Sequence, residues 1–590
     1  MSRFRKFLIA LGVLVIILGL WLWWNRPQRV DMAGYVPADS LIYLEANNLP
    51  EIASEVTQTD AWKALAPPAG IKANLGNYGW LSRLAAWTGI GPADAVVLSR
   101  AQIAVTVLGF DAADAGETLK IKPRYALVAE THTGASRVQT AIDKRVGDFA
   151  RRAYGEPVVE RKEVGGVELK TWRAPEGERR IVTGVLESVA VIGTDEATVL
   201  ACLAVRRGER PSLAGNPQLE AMRQRLDGAN ALAFGYVSSA GAAKLLEVAA
   251  TVYAGQLLSD PRAQGLAAST LPGLANKILG SAGWSARLSN GMVEDRYFIT
   301  LQNGVTSILR EMLATANDPA TSAGELLPAE TYSVSHYNYR DPAAAWRGLN
   351  LALSTQLDTL GAVFVSQLLK EALKPYGIEE PDVFLRSIGP NIITARLNEP
   401  NSAAANNQKS EGSSSSMTVT IVEVKDEKAL REFVMKRLGA QPRRERVGEA
   451  EMLVSQSKDR GAACFIMGRL LMGPAQHVRR CLEARERGET LAAAADFRKA
   501  ASVIESQAPA NTVTYTSDAA PAHAFISSIA AQKAVREGEP NASELARALE
   551  NLTFAVSETR LVENGFEKTT RSSFGQFGTL AAQFSPQSQP

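Results

Sequence analysis

The chain repeats itself, and that repeat limits the fold more than any other feature of its 590 residues. Val36–Asn47 reads V-P-A-D-S-L-I-Y-L-E-A-N, and Leu327–Asn338 reads L-P-A-E-T-Y-S-V-S-H-Y-N. Each is a Pro-Ala-acid-hydroxyl turn leading into a β-prone run. Further matches follow in the same order. Gly89–Leu108 answers Gly377–Leu397 as a helical turn and a strand, and Tyr125–Glu130 answers Val419–Val424 as a strand before a helix. Val189–Leu203 answers Arg469–Leu482 as strand, glycine turn and helix, and Ala231–Ser238 answers Asn511–Ser517. Ala286–Asp295 answers Thr559–Lys568, each a strand pair around Asn-Gly, a strong hairpin signal. One such match is weak; six in one order fix too much local geometry for two unrelated folds.

The helices between these strands also correspond. Val138, Ile142, Val146 and Phe149 make one apolar stripe, and Leu430, Phe433, Val434 and Leu438 make another. The expected fold class is therefore α+β: two tandem copies, residues 33–320 and 325–578, of a mostly antiparallel sheet with helices packed on one face. Pro37 should fall on Pro328, Gly193 on Gly473, and Asn290-Gly291 on Asn564-Gly565. The join is the turn-rich Asn317–Glu325. The low-complexity run Asn401–Ser416 reads as a loop tip inside copy two, because its counterpart near Asp111–Lys120 lies between two strands. Residues 579–590 have little to pack and read as a disordered tail.

Phe7–Trp24 is a run of eighteen residues without a charge. As a helix it would span about 27 Å, close to the ~30 Å hydrocarbon core of a bilayer. Arg3, Arg5 and Lys6 precede it, Arg26 and Arg29 follow, and Trp21, Trp23 and Trp24 crowd the far end. This predicts an uncleaved, single-pass signal-anchor, a transmembrane helix in the cytoplasmic (inner) membrane. Residues 1–6 would lie in the cytoplasm, and the bulk of the chain would be periplasmic or extracellular. The competing reading is a cleaved signal peptide, which needs a small-x-small site that W-L-W-W-N-R-P does not offer.

Composition excludes some classes. Hydrophobic residues at 46% and charged residues at 21% are those of a folded globular chain. A net charge of +2 supplies no field for nucleic acid. The arginine clusters (Arg151-Arg152, Arg206-Arg207, Arg443-Arg444-Arg446, Arg479-Arg480) have glutamates nearby and read as solvated faces. Cys202 and Cys481 stand at matching helical positions and read as small buried hydrophobes, and Cys464 as a strand-core residue. A Cys464–Cys481 pairing stays open.

No catalytic, cofactor-binding or metal residues are assigned. His132, His336, His477 and His523 have no zinc-ligand spacing and read as surface or loop residues, and there is no H-E-x-x-H or C-x-x-C. No P-loop, G-x-G-x-x-G after a strand, or G-x-S-x-G is present. Ser455 and Lys458 fit S-x-x-K, but strand alternation sets them on opposite faces. Glu379-Glu380 read as a solvated loop, and Tyr332, Tyr337 and Tyr339 as ordinary sheet residues.

The apolar N-terminal run, the L/V-P-A-D/E-S/T turn, the strand-helix units and the whole-body repeat together resemble an uncharacterised bacterial family. Its members are N-terminally anchored, internally duplicated envelope proteins, a domain of unknown function. The resemblance covers nearly all of residues 1–578 and implies no catalytic residues. The expected function is a non-enzymatic scaffold or interaction module of the bacterial envelope, held to the lipid bilayer by Phe7–Trp24 and meeting envelope protein partners. Two alternatives stand beside it: binding or transfer of lipid or another apolar ligand through a cleft in the duplicated body, and an enzyme with an unrecognised site.

Overall fold

The computed structural model describes residues 29–46, 48–71, 101–114, 119–257, 261–316, 324–357, 359–374, 378–397, 418–439, 441–457, 460–504, 509–531 and 538–584. Ten strands come from the first half: β1 (Ile42–Ala46), β2 (Gln102–Asp114), β3 (Leu119–Glu130), β4 (Val158–Val164), β5 (Val167–Arg173), β6 (Arg180–Leu186), β7 (Val189–Gly193), β8 (Ala233–Val237), β9 (Leu279–Ser289) and β10 (Met292–Leu301). Ten come from the second: β11 (Thr331–Asn338), β12 (Ile388–Leu397), β13 (Thr418–Val424), β14 (Arg443–Val447), β15 (Ala450–Val454), β16 (Ala462–Ile466), β17 (Arg469–Gly473), β18 (Thr512–Thr516), β19 (Ala555–Val562) and β20 (Gly565–Ser572).

The first half pairs in the order β10-β9-β8-β1-β2-β3-β7-β6-β5-β4, every pair antiparallel. The second pairs as β20-β19-β18-β11-β12-β13-β17-β16-β15-β14, the same scheme with ten added to each label. β10 then pairs antiparallel with β20, from Val293↔Ser572 to Thr300↔Gly565. This corrects the expected fold class: instead of two separate sheets, all twenty strands form one. At its two ends β4 (V-V-E-R-K-E-V) and β14 (R-R-E-R-V) each have one strand partner among the described residues, and their charged side chains oppose pairing with another chain.

Local chemistry places the turns. Pro37 bridges to Ser212 and Pro328 to Thr490. In each turn the hydroxyl three residues on, Ser40 or Thr331, donates to the proline carbonyl at 2.6 Å. Gly193 ends β7 before the helix Glu196–Arg206, and Gly473 ends β17 before the helix Ala475–Arg487. The Asn-Gly hairpins differ by one residue. Asn290-Gly291 are the two central residues of the β9–β10 turn, whereas β19–β20 turns on Glu563-Asn564 and Gly565 opens the strand. Gly565 is needed there because a Cβ would lie 1.9 Å from the Ile299 carbonyl oxygen across the seam.

Helices cover both faces of the sheet, a second correction to the expected fold. Val189 and Val191 of β7 face Val199, Cys202 and Leu203 of the helix Glu196–Arg206. The alternate residue Ala190 faces Val138 and Ile142 of the helix Ala135–Tyr154 on the other side. The apolar stripe of that helix ends on Ala150, packed against Trp172, and Phe149 is 52% exposed. In the second half β17 does the same, with Leu471 beside Val478 and Cys481, and Leu470 and Met472 beside Leu430, Phe433 and Val434.

The halves also interlock through helices. Trp62 and Leu65 of the first half pack with Phe525 and Ile526 of the second, and Leu274, Ile278 and Val305 pack with Ala352 and Val365. Burying four side chains such as Trp62, Leu65, Phe525 and Ile526 contributes roughly 6–12 kcal/mol, comparable to the whole stability of an ordinary domain. Such a junction makes the two halves one folding unit.

Among the described residues no helix is long and apolar enough to cross a membrane. That finding corrects the expectation of a single-pass membrane protein with a transmembrane signal-anchor, and with it the inner-membrane localisation. Phe7–Trp24 lies outside the described residues, as do Asn401–Ser416 and most of Asn317–Glu325. The C-terminal segment expected to fray from residue 579 continues as the helix Gly575–Phe584. Its first turn is held by Ser572 Oγ, which accepts from Gly575 N at 3.0 Å, and by Asp295 Oδ2, which accepts from Gln576 N at 2.9 Å.

Gly565→Val should force β10 and β20 apart and destabilise the whole chain by about 3 kcal/mol, the upper range for overpacking. A urea melt checks this. The midpoint should fall while unfolding stays a single transition, since two clusters of packed side chains span both halves.

Candidate functional site

The seam brings charge and a cleft together on one face of the sheet. Alternation along the paired strands sets Arg287 of β9, Glu294 of β10 and Arg571 of β20 in one row. The next row holds Ser285, Arg296, Thr569 and Glu558, and the third Gly283, Phe298, Glu567 and Arg560. Glu294, with 1% side-chain exposure, collects three guanidinium groups: Arg287 Nη2 at 2.6 Å, Arg296 Nε at 2.8 Å and Arg571 Nε at 2.9 Å. They hold its carboxyl below the usual range against the opposing effect of burial. Glu558 accepts from Arg560 at 2.5 Å and lies 3.6 Å from Arg571 Nη1, so Arg571 links both glutamates and both halves.

Beyond the third row the face opens into a cleft of about 660 Å³. Its apolar side is Met222, Phe298, Leu301 and Val562, and its polar rim includes Gln218, Arg225, Gln302, Glu563 and Asn564. The helix Pro217–Arg225 forms one wall because Asn216 caps it, its side-chain oxygen accepting from Gln218 N at 2.8 Å. It can lie close because β9 has glycine at 283, where a Cβ would come within 2.3 Å of Met222 Cγ. The β19–β20 turn forms the opposite wall, tied down by Leu301 N donating to Asn564 O at 3.0 Å. Arg225 spans the gap, donating to Glu567 at 2.8 Å with its guanidinium 4.9 Å from the Phe298 ring centre.

On the other face of the seam are two buried carboxyls. Asp295 accepts from Trp284 Nε1 at 2.8 Å and from Gln576 N, and Asp518 accepts from Ser573 N at 2.5 Å. Burial pushes both up to about 6 from 3.8.

The residues singled out in the sequence do not gather here. Cys202, Cys464 and Cys481 are free buried thiols, so Cys464 and Cys481 are not bonded; burial pushes them up to about 12, 11 and 12. His336 and His477 are buried rather than surface residues, and His336 Nε2 lies 2.8 Å from Asn391 Oδ1. His132 lies near Glu130 and Gln102, and His523 is exposed. Ser455 Oγ donates to the Leu438 carbonyl at 2.7 Å, and Lys458 lies outside the described residues. Glu380 pairs with Lys436. Tyr332 and Tyr337 are half-buried in β11, and Tyr339 follows it with its hydroxyl pushed up by burial. Several clustered arginines are ion-paired, Arg151 with Asp148, Arg206 with Glu187 and Arg480 with Glu330. Among the described residues no group of three or more His, Cys, Asp or Glu could hold a metal ion.

The seam residues went unread in the sequence because they come from distant segments. Only the hairpin signals around Asn290-Gly291 and Asn564-Gly565 marked their strands, and nothing local encodes that β10 meets β20.

Glu294→Gln leaves three arginines around a neutral side chain and should cost about 3–5 kcal/mol, read as a lower urea midpoint. For Asp295 and Asp518 the folded values lie above the unfolded ones, so the folded state holds these protons more tightly. Stability from them is fully present below about pH 4 and is lost as pH rises through about 6. The chain should therefore resist urea better at about pH 5.5 than at about pH 8, and Asp295→Asn should shrink that difference.

No family model, no curated protein and no solved structure matches this chain.

Proposed function

We propose that the chain is a binding protein that holds an amphipathic small molecule in the seam cleft. One observation carries the reading: the two halves meet around a preformed cleft of about 660 Å³ with an apolar side and a polar rim. That volume is within the range of small-molecule sites, about 300–1,000 Å³. The mixed lining suits a ligand with a tail and a polar head better than a wholly apolar one. The walls come from both halves, so a bound ligand would bridge them and stabilise the assembled chain by mass action. A second reading, a scaffold that docks a protein partner, is favoured by the exposed Leu351, Val363 and Val383 on successive second-half helices.

Ala221 is exposed on the cleft wall, and Ala221→Trp should fill the mouth without entering the core. An environment-sensitive fluorescent fatty acid should bind the unaltered chain and lose at least about tenfold in affinity to this variant. Equal affinity for both chains would remove the cleft as the binding site.

A further inference from the structure

We infer that the ligand's head group is an anion, a carboxylate or a phosphate, received by the arginines beside the cleft. This rests on the cleft being a binding site. The seam face carries Arg225, Arg287, Arg296, Arg560 and Arg571 against Glu294, Glu558 and Glu567, with Glu563 on the far rim. The two deepest acids are already enclosed: Glu294 and Glu558 have side-chain exposures of 1% and 4% and are held by guanidinium groups. Facing solvent are Arg225 at 47%, Arg287 at 41% and Arg296 at 33% exposure, against Glu567 at 34%, which Arg225 already holds, and the exposed Glu563; of these arginines Arg225 lines the cleft itself.

A guanidinium has five N–H donors in a planar fork, more than one carboxylate oxygen takes up. Arg225 gives one terminal nitrogen to Glu567, and Arg296 gives Nε to Glu294. Both are thereby anchored at one side of the fork, and an oxyanion would take up N–H donors that these bonds do not use. The tail has its own direction. Phe298 lies two residues along β10 from Arg296, and Met222, Leu301 and Val562 continue the apolar side into the cleft. Head and tail positions thus adjoin on one face. Glu563 lies at the other end, on the β19–β20 turn, and would repel an anion that entered in reverse.

Isothermal titration of the full chain with four probes tests this: dodecyl phosphate, dodecyl maltoside and dodecyltrimethylammonium, each below its micelle concentration, and inorganic phosphate. Dodecyl phosphate should bind at least about tenfold tighter than the other three, as charge-assisted arginine contacts require. Its affinity should fall when salt rises from about 50 mM to about 500 mM. Arg296→Gln combined with Arg225→Gln should cut dodecyl phosphate affinity at least about tenfold more than dodecyl maltoside affinity. The salt series on the unaltered chain gives the same answer if that variant folds poorly. Equal binding of all three dodecyl probes, each lost in Ala221→Trp, would overturn the anionic head and leave the cleft standing. Inorganic phosphate binding as tightly as dodecyl phosphate would overturn the amphiphile and point to the free anion. Binding of no dodecyl probe would overturn both the cleft and the head group.

Discussion

The hydrogen-bonded ladder between β10 and β20 is the contact on which the rest of the molecule depends. Without it each half would end in an open strand with its backbone donors and acceptors unpaired, at a cost for every group kept from water. With it, two ten-strand schemes become one sheet of twenty strands. Corresponding strands meet antiparallel, so each half offers the other the same edge. The helix contacts follow from this closeness, since Trp62 and Leu65 reach Phe525 and Ile526 only while the ladder holds the halves together.

The ladder also explains the unequal chemistry of its two faces. On one, buried Glu294 is surrounded by Arg287, Arg296 and Arg571, and the Coulombic gain outweighs desolvation enough to keep it ionised. On the other, Asp295 and Asp518 meet, among the described residues, neutral donors at hydrogen-bonding distance from Trp284, Gln576 and Ser573, and burial wins. Carboxyls in adjacent residues, Glu294 and Asp295, are therefore driven in opposite directions because alternation points them to opposite faces. The face that carries the arginines is also the one that opens into the cleft.

Much of the local structure was legible in the chain. Pro37 and Pro328 start equivalent turns, Gly193 and Gly473 end equivalent strands, and the apolar stripe from Val138 to Val146 faces a sheet. Each is written in a few neighbouring residues through a fixed φ, a missing side chain or a period. Phe149 and the Asn564-Gly565 pair were misread where that code is degenerate. Phe149 has a helical spacing that would equally suit burial, and Asn-Gly marks a hairpin without fixing which two residues turn.

The sequence by itself thus determined a set of turns, strands and amphipathic helices and their order of recurrence, because these depend on interactions within a few residues. Only the tertiary structure decided that the two sets share one sheet, that helices cover both faces, and that Arg225, Arg296 and Arg571 gather with Glu294 beside a cleft. Backbone ladders are chemically alike along any strand, so the sequence holds no local mark of the partner each edge will choose. The site is assembled by that choice, from segments nearly three hundred residues apart, as with Glu294 and Arg571 (|i−j| = 277).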